Sequence, residues 1–91
     1  MKVKIKLFAN FREAARQKEV EVATGGKTVG DAIRSLVAQH PPLEPLVYQD
    51  GRLKPYVNVL LNGQTVKGDQ VASMPVKDGD EIALFPPVSG G

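Results

Sequence analysis

The chain has 91 residues, 42% of them hydrophobic, with no Cys or Trp, and 12 Lys and Arg set against 10 Asp and Glu. That length suits one compact domain with a modest core, and the lack of Cys excludes disulfides, thiolate metal sites and a thiol nucleophile. The bases sit among acids (Lys18 beside Glu19, Arg12 beside Glu13, Lys77 beside Asp78), not in the basic stripe with interleaved aromatics that marks a nucleic-acid binder.

The chain opens with KVKIKLF at 2–8. Val3, Ile5 and Leu7 alternate with Lys2, Lys4 and Lys6, the period of two of a half-buried strand, which leaves Phe8 on the lysine face. Residues 10–17 suit one or two helical turns with Asn10 as N-cap. EVEVA at 19–23 alternates again as a second strand, and Thr24-Gly25-Gly26-Lys27 is turn chemistry.

Thr28 opens the strongest helix. Thr28 at N-cap and Asp31 at N3 form a capping box with Asp in place of the usual Glu. Val29, Ile33, Leu36 and Val37 make its buried stripe, and His40-Pro41-Pro42 ends it. Leu43, Leu46 and Val47 form a short turn packed on the core. VNVLL at 57–61 is a strand, and Asn62-Gly63 is a hairpin signal leading into Gln64-Thr65-Val66. A connector at 67–76 buries Val71 and Met74, Asp78-Gly79-Asp80 turns the chain, and Glu81–Phe85 is the last strand. The expected fold is α+β, a sheet packed against one main helix, over residues 1–85, with an extended tail at 86–91. No apolar run approaches the ~20 residues needed to span a bilayer, and the N-terminus lacks a continuous signal-peptide core. A cytoplasmic protein with no membrane or nucleic-acid partner is the expectation.

The tail is the candidate chemical site. Pro86 and Pro87 favour an extended exit from the body. Val88 and Ser89 follow, and Gly90 and Gly91 lack a Cβ, so a narrow channel in another protein could accept them. The α-carboxylate at Gly91 is ionised at neutral pH, with a reference pKa of about 3.5, and it becomes acyl-reactive only after activation. Phe8 and Phe85 both fall outward if Val3, Ile5, Leu7, Ile82 and Leu84 face the helix, which suggests a binding patch; packing at a sheet edge under 43–56 is the alternative.

Other signals stay structural. His40 has no nucleophile, base or second ligand beside it. Asp78 and Asp80 lack the remaining ligands of a calcium loop, and Gly25-Gly26 belongs to no phosphate-binding pattern. No metal and no bound cofactor are expected. Lys2, Lys4 and Lys6 read as a solvated edge.

DGDEIALFPPVSGG at the end, KIKLFANFREAA at the start, VNVLLNG and TVGDAIRSL together resemble the small, sulfur-carrying subunit of molybdopterin synthase. The resemblance extends to archaeal ubiquitin-like small modifier proteins, where HPPLEPLV also fits. It covers essentially the whole domain and implies the β-grasp fold of ubiquitin, with a mixed sheet, and a carrier in place of an enzyme. It further implies that an adenylating enzyme threads the tail into its ATP site and activates the Gly91 carboxylate. Sulfur then replaces AMP to give a thiocarboxylate for pterin synthesis with the large synthase subunit, or a target lysine attacks to give an isopeptide bond. The alternatives are a binding adaptor with an inert tail and a thiamine-pathway sulfur carrier, for which the chain is long. The resemblance also places Phe8, Leu61 and Phe85 against partners. For Leu61 this requires Asn58 and Leu60 to point inward, with hydrogen bonds found for Asn58, because Val57, Val59 and Leu61 share one face of the strand.

Overall fold

A computed structural model describes residues 1–86 of the chain. Strand β1 (Lys2–Leu7) leads into helix α1 (Ala9–Ala15), and strand β2 (Glu19–Ala23) returns antiparallel to β1. Helix α2 (Val29–Gln39) crosses the sheet, followed by a 3-10 turn at Pro41–Leu43 and the short helix α3 (Glu44–Val47). A small hairpin, β3 (Tyr48–Gln49) with β4 (Arg52–Leu53), precedes strands β5 (Asn58–Leu61), β6 (Gln64–Val66) and β7 (Glu81–Phe85).

The main sheet runs β2-β1-β7-β5-β6, with β1 and β7 parallel and the other pairs antiparallel. β1 therefore lies inside the sheet, which corrects the reading of Lys2, Lys4 and Lys6 as an edge. They project from the uncovered face of an interior strand. Beneath them Val3, Ile5 and Leu7 meet Val29, Ala32, Ile33, Leu36 and Val37 of α2, together with Val59, Ile82 and Leu84, in one buried core. Each such fully buried aliphatic side chain contributes about 1.5–3 kcal/mol.

The start of α2 follows from its sequence. The Thr28 side chain accepts from the Asp31 amide at 3.2 Å, and Asp31 Oδ2 accepts from the Thr28 amide at 3.3 Å and from Lys27 at 3.1 Å. These bonds hold the Asp31 carboxyl below the ordinary aspartate value of 3.8, the Lys27 amide first and the Thr28 side chain second. The Val29 and Gly30 amides donate to the carbonyls of Met74 and Val71, each at 2.9 Å. The helix N-terminus is thus fully satisfied by the chain itself. Gly30 also has a packing reason: a Cβ there would lie 3.2 Å from the Val71 carbonyl oxygen and 3.3 Å from Ala72 Cα.

Two local expectations are revised. α1 begins at Ala9, after Phe8 as an N-cap without a side-chain bond, so Asn10 lies within the first turn and is not its cap. Phe11, on the inner side of α1, is fully buried. The 43–56 stretch holds more than a turn: the Asp50-Gly51 pair, both at positive φ, closes the β3–β4 hairpin. Arg34 fastens that hairpin to α2, its guanidinium 5.3 Å from the Tyr48 ring centroid and 3.3 Å from the Gly51 carbonyl. Among the described residues no helix is long and apolar enough to cross a membrane.

Candidate docking face and tail exit

The face of the sheet opposite α2 divides into two halves. Pairing sets one row as Thr65, Leu60, Ala83, Lys6 and Glu19, and the next as Asn58 and Phe85, with Phe8 alongside. Toward the start of β1 the face is charged. Lys2 pairs with Glu21 at 3.6 Å, Lys4 with Glu19 at 3.8 Å and Lys6 with Glu81 at 3.4 Å. These side chains are 41–70% exposed, so each pair contributes between 0 and about 1 kcal/mol. What they accomplish is to neutralise the face and hold six long side chains over it.

Toward the end of β1 the face turns apolar. The Phe8 and Phe85 rings stack with centroids 4.2 Å apart and planes 11° from parallel. Phe8 is 37% exposed, a large apolar surface left to solvent. The stack forms one side of an open groove of about 520 Å³, completed by Ala9, Asn58, Leu60, Thr65 and Pro86. No residue of 43–56 lines it, so the two aromatics do not pack under that segment. Pro86 is the residue from which the tail departs, and it forms part of the groove wall.

The groove is set by local backbone. Phe8 is extended (φ −130°, ψ 153°) and Ala9 adopts φ +51°, a left-handed conformation unusual for a residue with a Cβ. The Phe11 amide closes the turn onto the Phe8 carbonyl at 3.1 Å. Strand alternation and the extended Phe8 backbone leave Phe8 on the open face, and the turn that follows carries Phe11 into the core.

Leu61 does not join Phe8 and Phe85. It pairs with Ile82, which is fully buried, and packs against the core from the same side as Val59. Leu60 occupies the outer face, paired with Ala83 and lining the groove, and Asn58 is exposed there, so no buried amide has to be satisfied. The physical reason is register: the Asn62-Gly63 hairpin, with φ +50° and +85°, pins Val59 opposite Val66. Among the expected site residues, Phe8, Phe85 and Pro86 are brought together. Pro87, Val88, Ser89, Gly90 and Gly91 lie outside the described residues. Leu60, Asn58, Thr65 and Ala9 belong to the groove without having been expected there. Only the pairing of Asn58 with Phe85 across the sheet, invisible without the register, identifies the first two.

The remaining polar candidates are structural. Asp78 accepts from the Lys2 amide at 2.7 Å, and Asp80 accepts from the Lys77 amide at 2.8 Å and from the Asn62 side chain at 3.1 Å, binding the β7 turn to its neighbours. His40 is the C-cap of α2, its amide donating to Leu36 at 2.9 Å. Thr24 accepts from the Gly26 amide at 3.0 Å within the glycine turn. Among the described residues no group of three or more His, Asp or Glu side chains gathers in a metal-ligating cluster.

The pattern that defines the ThiS family matches residues 5–91. Small archaeal modifier protein 1 of Haloferax volcanii is 48% identical over 89 residues, spanning 94% of this chain and 97% of the relative. A crystal structure of SAMP1 from Haloferax volcanii superposes with a TM-score of 0.89 at 44% identity, covering 100% of both chains. The molybdopterin synthase sulfur carrier subunit of Escherichia coli is 38% identical over 89 residues, 98% of this chain and 99% of that one.

Proposed function

The chain belongs to the ThiS family, and on that footing we propose that this ubiquitin-like β-grasp domain is a sulfur carrier or protein modifier acting through the Gly91 carboxylate. It is a carrier and not itself the enzyme, as its relatives named for carrying and modifying indicate. The observation that supports the reading most is the placement of Pro86. The apolar groove built on Phe8 and Phe85 includes the first residue of the tail, so a protein seated on that groove has the root of the tail at its own surface. Binding and delivery are one event.

The chemistry is group transfer at a carboxylate. A partner adenylating enzyme with ATP takes a Gly91 oxygen onto the α-phosphate and releases pyrophosphate, leaving an acyl-adenylate. A sulfur nucleophile displaces AMP and leaves a thiocarboxylate, or a lysine amine of a target protein displaces it and leaves an isopeptide bond. The large subunit of molybdopterin synthase is the partner in the first outcome. The second outcome is favoured by the 48% identity to a protein named as a modifier. Within the tail, Pro86 and Pro87 are residue types that favour an extended exit, and Val88, Ser89, Gly90 and Gly91 are the residues offered to the enzyme's channel. Phe8, Phe85 and Leu60 provide the docking anchors.

Mass spectrometry of the protein recovered from its own cells, under conditions that preserve thiocarboxylates, tests the proposal. Oxygen-to-sulfur exchange at Gly91 is expected of a carrier, and Gly91 joined to lysines of other proteins is expected of a modifier. An unmodified carboxylate alone, in cells that are making the cofactor and conjugates, overturns both in favour of an adaptor with an inert tail.

A further inference from the structure

Asn62 does more than shape the turn between β5 and β6. Its side chain reaches across to the start of β7, where Nδ2 donates to Asp80 Oδ1 at 3.1 Å and Oδ1 accepts from the Glu81 amide at 2.9 Å. The Asn62 main-chain amide donates to the Glu81 carbonyl at 2.8 Å. Asp80 is itself held, its other carboxylate oxygen accepting from the Lys77 amide at 2.8 Å. Both polar atoms of the Asn62 side chain are thus engaged by residues eighteen and nineteen positions away. The residue that follows makes this engagement matter. Asn10 precedes Phe11 and Asn58 precedes Val59, whose Cβ atoms shield the next main-chain nitrogen; Asn62 precedes Gly63, which has none. Asn62 and Gly63 are exposed, and a Cβ built at Gly63 would meet nothing within 4 Å, so water reaches this side of the turn.

We propose that Asn62 is a site of spontaneous deamidation, that the fold suppresses the reaction by clamping the Asn62 amide to Asp80 and Glu81, and that conversion unfastens the hairpin from β7. The reaction is internal. The Gly63 main-chain nitrogen gives up its proton to water and bonds to Asn62 Cγ. The Cγ–Nδ2 bond breaks, and Nδ2 takes up a proton and leaves as ammonia. One water then opens the cyclic imide at either carbonyl, to aspartate or to isoaspartate, with no oxidant, cofactor or enzyme taking part. For the first bond to form, the side chain has to swing from β7 toward its own main chain, which breaks both clamping bonds. Aspartate, once formed, sets a carboxylate oxygen against Asp80 Oδ1 where a donor stood, so two acceptors of like charge meet. Isoaspartate lengthens the main chain of the turn that fixes the β5–β6 register. None of this rests on the carrier reading.

The first experiment follows the conversion by peptide-mapping mass spectrometry in protein kept warm at mildly alkaline pH. Native protein is compared with native protein in urea, with Asp80→Ala and with Leu43→Val. Asp80→Ala removes one clamping bond. Leu43→Val trims a buried side chain in the 3-10 turn that packs on α1 and α2, and so weakens the fold while leaving the clamp alone. Circular dichroism checks that both variants are folded. Because two hydrogen bonds have to break first, native protein should convert about 5- to 100-fold more slowly than protein in urea. Asp80→Ala should convert about 3- to 10-fold faster than native, and Leu43→Val close to the native rate.

The second experiment tests the consequence by exchanging the partners. Asn62→Asp alone should lower the melting temperature by about 5–10 °C. Adding Asp80→Asn turns the pair around: the donor now comes from position 80 and the acceptor from position 62, while the Lys77 and Glu81 amides each keep an oxygen to donate to. The double variant should regain most of the loss. Equal conversion rates in native protein and Asp80→Ala overturn the proposal. So do equal accelerations in Asp80→Ala and Leu43→Val, which would assign the protection to overall stability. A double variant no more stable than Asn62→Asp removes the clamp as the reason conversion matters, and absence of conversion at Asn62 even in urea removes the site.

Discussion

Replacing Leu60 by aspartate and, separately, Leu61 by aspartate sets the two faces of β5 against each other. Both leucines are half-buried, so each loses roughly 1 kcal/mol of the 1.5–3 kcal/mol that full burial provides. The carboxylate separates them. At Leu60 it stands on the open face, in the row that continues through Ala83 to Lys6, and keeps its water. At Leu61 it stands beside fully buried Ile82 and on the core side of the sheet, where partial desolvation adds about 1–2 kcal/mol. The expected totals are about 1 kcal/mol for Leu60→Asp and about 2–3 kcal/mol for Leu61→Asp. A chain of this length has roughly 5–14 kcal/mol of stability in all, so both variants remain folded at room temperature. Thermal melting converts these figures to a fall of about 5 °C against about 10–20 °C. Activation by the adenylating enzyme should show the reverse order: Leu60→Asp, with a charge in the groove, loses docking, and Leu61→Asp keeps it. Equal destabilisation, or loss of activation in Leu61→Asp alone, would refute the face assignment and restore Leu61 as the partner contact.

The Phe8–Phe85 stack should appear as coupling in a double-mutant cycle by urea unfolding: about 0.5–1 kcal/mol between Phe8→Ala and Phe85→Ala, with additivity within about 0.3 kcal/mol counting against it. Thr28→Ala removes the cap of α2 and should cost about 1 kcal/mol, measured as a lower urea midpoint. Because hydrogen bonds from Lys27 and Thr28 lower the Asp31 pKa below 3.8, its contribution is fully present above that value and is lost as pH falls through the lower folded value. The stability gap between native protein and Asp31→Asn should therefore be widest near neutrality and close in acid; a gap that widens in acid contradicts the sign. Gly30→Ala should destabilise despite the better helix propensity of alanine, since the new Cβ meets backbone atoms of Val71 and Ala72 at 3.2 and 3.3 Å; a raised melting temperature would show that the 71–72 segment yields.

Much of this architecture is written in short-range chemistry. Thr28 and Asp31 declare the start of α2, Asn62-Gly63 declares the hairpin, and the alternation of Val3, Ile5 and Leu7 with lysines declares which side of β1 is wet. Where the reading went astray, the local pattern was degenerate. Leu60 and Leu61 are adjacent and identical, so periodicity alone cannot say which faces the helix; the hairpin register and the pairing to β7 decide it. Asn10 has good capping chemistry, but the left-handed turn at Ala9 starts α1 earlier. That the lysines stand on an interior strand depends on β7 arriving in parallel beside β1, with Lys4 opposite Glu81 and Leu7 opposite Leu84, a long-range pairing no window reveals. The tail stood out by its paired prolines and terminal glycines, the role expected of Gly91 came from resemblance, and residues 87–91 lie outside the described residues.

The central position of β7 has a consequence for how the molecule is made. Translation delivers β1, β2 and α2 early, but β1 and β5 have no strand between them until residues 81–85 have emerged. Closure of the sheet is a late, long-range event, the kind that slows folding. Phe85 and Pro86 complete the groove, so a product interrupted before them lacks a core strand and the docking face together. A partner that recognises the groove thereby inspects the chain for having been synthesised as far as the root of its tail.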